Sequence, residues 1–167
     1  MDYELKKLAV SDGMDIYEML QEIPGNEAGA VNAVKGSTFD EFKQWLIRSD
    51  SLSKAKGLID GWKVPTTVYW LYVDGYPVGF GKLRHFLTNQ LRIEGGHIGY
   101  AIRPSQRNKG YGTVLLKMMI EEARKMNIDR VLLTIRNNNA ASINVALNNN
   151  GKIERVCEER HYIWIDC

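Results

Sequence analysis

The residue types best suited to chemistry are concentrated in one short stretch, 107–113, which reads Arg-Asn-Lys-Gly-Tyr-Gly-Thr. Gly110 and Gly112 can adopt backbone angles closed to other residues, so successive amide N–H groups can point into one concavity. Such a nest binds phosphate, and a helix that begins there adds its unpaired N-terminal donors and the positive end of its dipole. The stretch therefore predicts a site for a phosphorylated ligand.

The elements on either side of this stretch would position it. The strand-like run Gly99–Ile102 precedes it, and a helix is predicted from about Gly110 to Met126. The apolar residues at helical spacing in that helix are Val114, Leu115, Met118, Met119 and Ala123. Two other phosphate-binding patterns do not fit. The third glycine of a dinucleotide fingerprint would fall on Leu115, and the Walker sequence is absent.

The remaining pattern predicts an α/β fold, with one mixed, mostly antiparallel sheet of about seven strands and helices on both faces. Strands are predicted at 5–10, 67–73, 76–86, 97–102, 131–135, 152–157 and 161–165, and Asp74-Gly75 predicts a hairpin turn. Further helices are predicted at 11–22, from a capping box at Thr38–Glu41, and at 140–149. Residues 27–36 are predicted to form a mobile loop or a weak helical turn, and 57–65 and 88–95 are predicted to be loops.

Size and charge limit the function classes. The chain has 167 residues and a net charge of +2, which suits one domain and argues against nucleic acid as a partner. No apolar run approaches the length of a membrane span, and the N-terminus lacks the apolar core of a signal peptide. Cys157 and Cys167 have no metal-binding spacing, so no metal site is expected. These features predict a cytoplasmic protein.

Three sequence elements, taken in order, resemble the GNAT superfamily of acyl-CoA-dependent N-acyltransferases. The family pattern Arg/Gln-x-x-Gly-x-Gly/Ala stands here as Arg107–Gly112, and Asn-x-x-Ser stands as Asn139–Ser142 before a helix ending in Asn149–Gly151. The run Gly96–Pro104 resembles the family's central strand. The resemblance is good over residues 95–156. It implies a single acyltransferase domain spanning 1–167, with acceptor-side helices in 1–94, an acyl-CoA-binding core in 95–156 and a terminal strand in 157–167.

The resemblance also implies acetyl-CoA as co-substrate, with no metal. The backbone amides that would bind its pyrophosphate belong to Arg107, Asn108, Lys109, Gly110, Tyr111, Gly112 and Thr113. The backbone of Tyr100 and Ile102 would pair with the pantetheine arm, the thioester would lie near Ala101, and Asn139 and Ser142 would contact the arm. For the side chains of Arg107 and Lys109 the alternative is a solvated surface cation, and for Asn139 and Ser142 it is capping of the short helix.

The implied reaction is direct attack of a primary amine on the acetyl carbonyl. An aliphatic amine has a pKa near ~10 and must lose a proton first, which calls for a general base. Glu94 and His97 are the candidates, next to and within the central strand. The alternative for His97 is a hydrogen-bonded structural histidine, and the alternative for Glu94 is a solvated loop carboxylate.

One position departs from the family pattern. Many members carry a tyrosine four residues after the Ser of the Asn-x-x-Ser element, and that position is Ala146 here. The general acid is therefore unassigned. This departure motivates a second hypothesis, a non-catalytic acyl-CoA-binding sensor or regulatory domain.

The acceptor is expected to be a small-molecule or peptide amine. The resemblance places its pocket among the first two helices, their loop and the terminal hairpin. A cationic amine would favour Glu22, Glu27, Asp40 or Glu94 in that pocket, and the segment 24–36 would be a lid or a plain surface loop. Edge strands near the C-terminus would allow a homodimer.

Overall fold

The computed structural model describes residues 1–27, 30–57 and 59–167. Nine strands and five α-helices lie within these ranges. In chain order they are β1 (Tyr3–Lys7), α1 (Met14–Glu22), β2 (Asn26–Glu27), β3 (Ala30–Val31), α2 (Phe39–Lys54), β4 (Thr66–Val73), β5 (Tyr76–Arg84), α3 (Asn89–Ile93), β6 (Ile98–Ile102), α4 (Tyr111–Lys125), β7 (Arg130–Arg136), α5 (Ala140–Asn148), β8 (Lys152–Val156) and β9 (Arg160–Asp166). A 3₁₀ turn at Pro104–Gln106 links β6 to the glycine-bearing stretch.

The strands form two main sheets, so the predicted α/β class is confirmed but the predicted single seven-stranded sheet is wrong. One sheet has the order β1-β4-β5-β6 and the other β7-β9-β8, and all pairs assigned within the described residues are antiparallel. The division falls between β6 and β7. A small hairpin, β2-β3, overlaps the segment 27–36 that was predicted as a loop or weak helical turn, and Ala28 and Gly29 of that segment are outside the described residues.

The hairpin of β4 and β5 is the clearest case of a local sequence signal that determines structure. Asp74 and Gly75 have φ angles of 50° and 78°, the left-handed pair that a two-residue hairpin turn requires. Alternate β4 side chains then face opposite ways. One set packs on α4 (Tyr69, Leu71, Val73 against Leu115 and Met119), and the other packs on α1 and α2 (Val68, Trp70, Tyr72 against Met19, Phe42 and Leu46). The helices therefore cover both faces of this sheet.

Helix boundaries follow the capping chemistry. Thr38 and Glu41 form the predicted capping box of α2. Helix α1 begins at Met14, later than the predicted Ser11-Asp12 cap, because the Asp12 carboxylate accepts hydrogen bonds from the Ala9 N–H and the Trp70 indole, both at 2.8 Å. Helix α3 lies where a polar loop was predicted.

Two further features concern the described ranges as a whole. None of their helices is long and apolar enough to cross a membrane. No group of three His, Cys, Asp or Glu side chains in them is arranged to hold a metal ion.

Strand β8 is an exposed edge of its sheet, and a homodimer formed through such an edge stays a prediction.

Candidate active site

The outer edge of β6 is an unpaired strand edge. The Arg84 N–H donates to the His97 carbonyl at 2.7 Å, and the Arg103 N–H donates to the Val78 carbonyl at 2.8 Å. Antiparallel ladders alternate, so the odd-numbered residues of β6 turn their backbone groups toward β5. The backbone groups of Ile98, Tyr100 and Ile102 therefore point the other way, toward the space between the two sheets. Tyr100 and Ile102 are the residues predicted to present these groups.

The two sheets touch where β6 begins. The His97 N–H donates to the Leu132 carbonyl at 2.8 Å, and the Leu132 N–H donates to Nδ1 of His97 at 2.9 Å. Gly96 precedes this contact with a φ of 62°, and a Cβ at this position would lie 2.3 Å from the Leu132 oxygen. Only glycine fits such an approach. Beyond this point β6 and β7 share no ladder in the described chain, and a cleft opens between them.

The glycine-bearing stretch closes one end of this cleft. Gly110 is the N-cap of α4 with a φ of 82°, and Asn108 has a φ of 62°. No side chain caps α4, and within the described residues the amide N–H groups of residues 108–113 have no protein acceptor. By contrast, α2, α3 and α5 each have a side-chain cap, from Thr38, Thr88 and Asn139. Unpaired donors at this helix end are what an anion-binding nest requires.

The side chain of Arg107 stabilises this end of the cleft. Its Nε donates to the Ile102 carbonyl at 2.9 Å, and Nη1 and Nη2 bind the two carboxylate oxygens of Glu27 at 2.7 and 2.6 Å. The Arg107 side chain is therefore a bridge between β6 and the β2-β3 hairpin, which differs from both roles predicted for it, a phosphate ligand and a solvated cation. Its backbone N–H, predicted to bind the pyrophosphate, instead donates to the Pro104 carbonyl at 3.3 Å. The Lys109 ammonium binds Oε1 of Gln106 at 3.0 Å and is exposed.

The cleft has a volume of about 400 Å³, within the range of small-molecule sites. It brings together eleven of the twelve predicted cofactor-binding residues. These are Tyr100, Ala101, Ile102, Arg107, Asn108, Gly110, Tyr111, Gly112, Thr113, Asn139 and Ser142. The remaining one, Lys109, is not part of its lining.

Helix α5 presents its N-terminal turn to the cleft. The Asn139 side chain caps the helix by accepting from the Ser142 N–H at 3.2 Å, as the capping alternative stated. The Tyr100 hydroxyl lies 3.2 Å from Oγ of Ser142. Burial raises the pKa of Tyr100, so its phenol keeps its proton at neutral pH. A protonated hydroxyl pair is thus present beside β6.

The two candidate bases lie in different surroundings. Glu94 lines the cleft, its side chain is 53% exposed, and its Oε1 accepts from Nη2 of the buried Arg160 at 2.8 Å. His97 is buried and is not part of the cleft lining. Burial, together with Arg92 and Arg84, lowers the pKa of His97 to about 4. Because the Leu132 N–H donates to Nδ1 of His97, Nδ1 carries no proton. This geometry matches the alternative stated for His97, a hydrogen-bonded structural histidine.

The carboxylates expected to attract a cationic acceptor are mostly engaged elsewhere. Glu22 binds Nε of Arg103 at 2.5 Å and the Ser105 N–H at 2.7 Å, and these contacts lower its pKa although desolvation opposes them. Glu27 binds Arg107. Asp40 lies in the first turn of α2 and is not part of the cleft lining. Glu27 and Glu94 both line the cleft and each is bound by an arginine, and the Glu94 side chain is the more exposed of the two, at 53% against 42%.

The family model for GNAT acetyltransferases matches residues 31–151 of the chain, well over half of its length. The protein belongs to the GNAT acetyltransferase family. The matched range contains both the glycine-bearing stretch and the Asn139–Ser142 element.

Solved GNAT structures share the fold across the chain. A ribosomal L7/L12 alpha-N-protein acetyltransferase, RimL, in complex with coenzyme A has a TM-score of 0.75 at 15% identity, with 98% of this chain and 93% of that chain covered. The N-acetyltransferase PseH of Campylobacter jejuni, in complex with acetyl coenzyme A, has a TM-score of 0.64 at 12% identity, with 98% of both chains covered. YncA of Salmonella typhimurium, a putative acetyltransferase with acetyl-CoA, has a TM-score of 0.64 at 15% identity, with 98% of this chain and 93% of that chain covered. A comparison with functionally curated proteins finds no match.

The departure from the usual GNAT pattern at Ala146 has a structural counterpart. Ala146 is fully buried on the inner face of α5, and its carbonyl accepts from the Gly151 N–H at 2.9 Å. Helix α5 carries no tyrosine. Tyr100, which lies on β6, instead places a phenol beside the N-terminal turn of α5. Sequence reasoning treated Tyr100 mainly as a backbone contact. Its hydroxyl could not have been assigned without knowing which element lies opposite.

Proposed function

We propose that the protein is an N-acetyltransferase that moves the acetyl group of acetyl-CoA to a primary amine by direct attack. The observation that carries this proposal is the convergence of unpaired backbone groups on one cleft. The amides of residues 108–113, the backbone groups of Tyr100 and the Ile102 N–H lack protein partners in the described chain and line the same cleft, while the Ile102 carbonyl accepts from Arg107. The coenzyme bound in the RimL, PseH and YncA structures supports the same ligand here.

The residues present fit this co-substrate. The amides at the start of α4 would hold the diphosphate, with the helix dipole adding to their attraction. Tyr100 and Ile102 would pair with the amide groups of the pantetheine arm as an added strand. The Arg107 bridge holds the Ile102 carbonyl and the β2-β3 hairpin at this end of the cleft. When bound, acetyl-CoA supplies a thioester whose carbonyl carbon accepts the amine.

Glu94 is the proposed general base. Its carboxylate is in the cleft, is partly exposed, and is oriented by Arg160, so it can remove a proton from the incoming ammonium directly or through one water. His97 is less suited to this role, because Nδ1 already accepts the Leu132 N–H. A new N–C bond forms as the C–S bond breaks, and the amine proton leaves through Glu94.

Tyr100 is the proposed general acid. The departing thiolate needs a proton, and the Tyr100 hydroxyl is protonated, lines the cleft and is oriented by Ser142. Ser142 lies in the first turn of α5, four residues before Ala146. The Tyr100 hydroxyl, on β6, would take the place of the phenol that the family pattern puts on the helix, with Ser142 on α5 orienting it.

A second candidate function, an acyl-CoA-binding sensor without turnover, is favoured by Ala146. Calorimetric titration of acetyl-CoA, run beside a thiol-release assay over a panel of primary amines, tests both. Binding with amine-dependent thiol release is the result we expect. Binding without release on any amine supports the sensor, and absence of binding contradicts both.

A further inference from the structure

A second cavity of about 320 Å³ lies between α2 and the β4-β5 hairpin. Its lining combines two indole rings with cations. The residues are Trp45, Arg48, Ser49, Leu52, Trp62, Lys63, Thr66, Val68, Lys82 and Arg84. Trp62 is 55% exposed, so its ring is accessible to a ligand in this cavity.

All of the charged residues that line this cavity are positive. Four of its residues are cations, and none is acidic. None of these four cations makes an ion pair with a carboxylate among the residues that the structure describes. The cavity is therefore a local region of positive potential in a protein whose net charge is only +2.

The two inner cations are held by backbone carbonyls. The Lys82 ammonium donates to the Val31 carbonyl at 2.8 Å, and Nη1 of Arg84 donates to the Gly95 and Gly96 carbonyls at 3.1 Å each. Burial, with a contribution from Arg84, lowers the pKa of Lys82 to about 8. Two partly buried cations on one strand are unfavourable unless an anion compensates them, because the free-energy cost of desolvating each cation adds to their mutual repulsion.

Arg84 connects this cavity to the cleft, since it lines both. Its guanidinium is bonded to the residues that directly follow Glu94, the proposed base. A small molecule held against Lys82 and Arg84 would thus lie beside the end of the cleft where the amine must be deprotonated. The carboxylates that would attract a second positive charge, Glu22 and Glu27, are already bound by arginines.

We infer that the acceptor is a small primary amine that carries its own oxyanion, a carboxylate or a phosphate, next to a planar apolar group. This inference rests on the proposed acyl transfer. The oxyanion lies against Arg48, Lys63, Lys82 and Arg84, where charge-assisted hydrogen bonds are strong. The planar group packs on Trp62 and Trp45. The volume suits a small molecule better than a protein surface.

Pairs of amines that differ only in the anion provide the test. Phenylalanine and phenethylamine form the carboxylate pair, O-phosphotyramine and tyramine form the phosphate pair, and cadaverine is the dication. In the thiol-release assay we expect kcat/KM for at least one anionic member to exceed that of its partner by roughly 10-fold or more, an advantage that salt reduces. Which pair shows it distinguishes carboxylate from phosphate. A preference for phenethylamine, tyramine or cadaverine overturns the inference, as does turnover of an acidic peptide alone.

Variants of the two exposed cations, Arg48 and Lys63, test whether the preference for an anionic amine arises in this cavity. Arg48→Met and Lys63→Met should each lower kcat/KM for the preferred anionic amine by about 5-fold to 10-fold and lower that of its neutral partner by much less. Lys152→Met, which removes an exposed cation on β8, is the control and should change neither. Equal losses for both members of a pair would show that the cations do not bind the anion.

A binding measurement separates this inference from the acyl transfer. N-acetylphenylalanine and N-acetylphenethylamine differ in the carboxylate and need no turnover. With coenzyme A present, calorimetry should show tighter binding of the anionic compound, and Lys63→Met should remove the difference. That result supports the anion site even if no amine is acetylated. Equal or weaker binding of the anionic compound overturns it even if transfer to some amine is observed.

Discussion

Nδ1 of His97 accepts a hydrogen bond from the backbone N–H of Leu132 at 2.9 Å, at the point where the two sheets meet. The His97 N–H also donates to the Leu132 carbonyl, and the two hydrogen bonds together fix the point at which the cleft begins. The imidazole must stay neutral for this contact, because a protonated Nδ1 would face another donor. Acid should therefore weaken the joint between the sheets.

The first prediction is a pH dependence of stability that belongs to His97. Its pKa falls from 6.5 to about 4 in the folded protein, so the unfolded chain binds the proton first. Stability contributed by the neutral ring is present above about pH 6.5 and is lost as pH falls toward 4. His97→Asn keeps an acceptor near Nδ1 and does not titrate. In urea unfolding, the wild-type protein should lose about 2–3 kcal/mol more than this variant between pH 7 and about pH 4.5. Equal losses would contradict the role of His97.

The second prediction concerns the amide nest. Gly110→Glu adds bulk and negative charge at a position whose Cβ meets open space but whose φ of 82° strains any residue other than glycine. The variant should therefore be less stable yet folded, as its control should be, while the coenzyme Kd rises on the order of 100-fold. Gly75→Glu is a matched control, since Gly75 has a similar φ of 78°, also has no atom near its Cβ, and lies outside the cleft. Calorimetry on both variants, with thermal unfolding as a fold check, makes the comparison. Unchanged coenzyme binding by Gly110→Glu would show that the nest is not the diphosphate site.

The third prediction concerns Glu94. Glu94→Gln keeps an oxygen for Arg160 but cannot remove a proton, so kcat should fall about 100-fold while the Kd for acetyl-CoA stays the same. The pH–rate profile should change with it. Glu121→Gln, at an exposed position of α4, is the control. If Glu94→Gln keeps the wild-type profile, the base lies elsewhere or the amine arrives deprotonated.

The fourth prediction concerns Tyr100. Tyr100→Phe keeps the ring that packs near Gly112 and removes the hydroxyl that meets Ser142, so kcat should fall roughly 10-fold to 100-fold with little change in coenzyme affinity. Tyr3→Phe removes a hydroxyl at an exposed position and should have no effect. A wild-type kcat in Tyr100→Phe would assign the proton to water or to another group.

Local signals were sufficient for much of the fold. The Asp74-Gly75 turn predicted the β4-β5 hairpin, the Thr38–Glu41 box predicted the start of α2, and Asn150, with a φ of 64°, ends α5 as predicted. Each depends on residues adjacent in sequence. The stretch before α4 belongs to the same class, because its glycine positions and the following helix are contiguous.

Features made by distant residues were not predictable. The division of the sheet at Gly96 depends on the approach of Leu132, and the Arg160–Glu94 pair joins residues 66 positions apart. The cations of the second cavity come from α2, from the segment before β4 and from β5, so no sequence window contains them together. The β2-β3 hairpin pairs only two residues a side, which is too short for a period-2 pattern.

The most direct measurement is a crystal structure of the protein with acetyl-CoA bound. The account predicts the diphosphate oxygens within hydrogen-bond distance of amides in residues 108–113, and the pantetheine arm paired with the backbone of Tyr100 and Ile102. A diphosphate bound elsewhere, or an arm that leaves this edge of β6 unpaired, would contradict it.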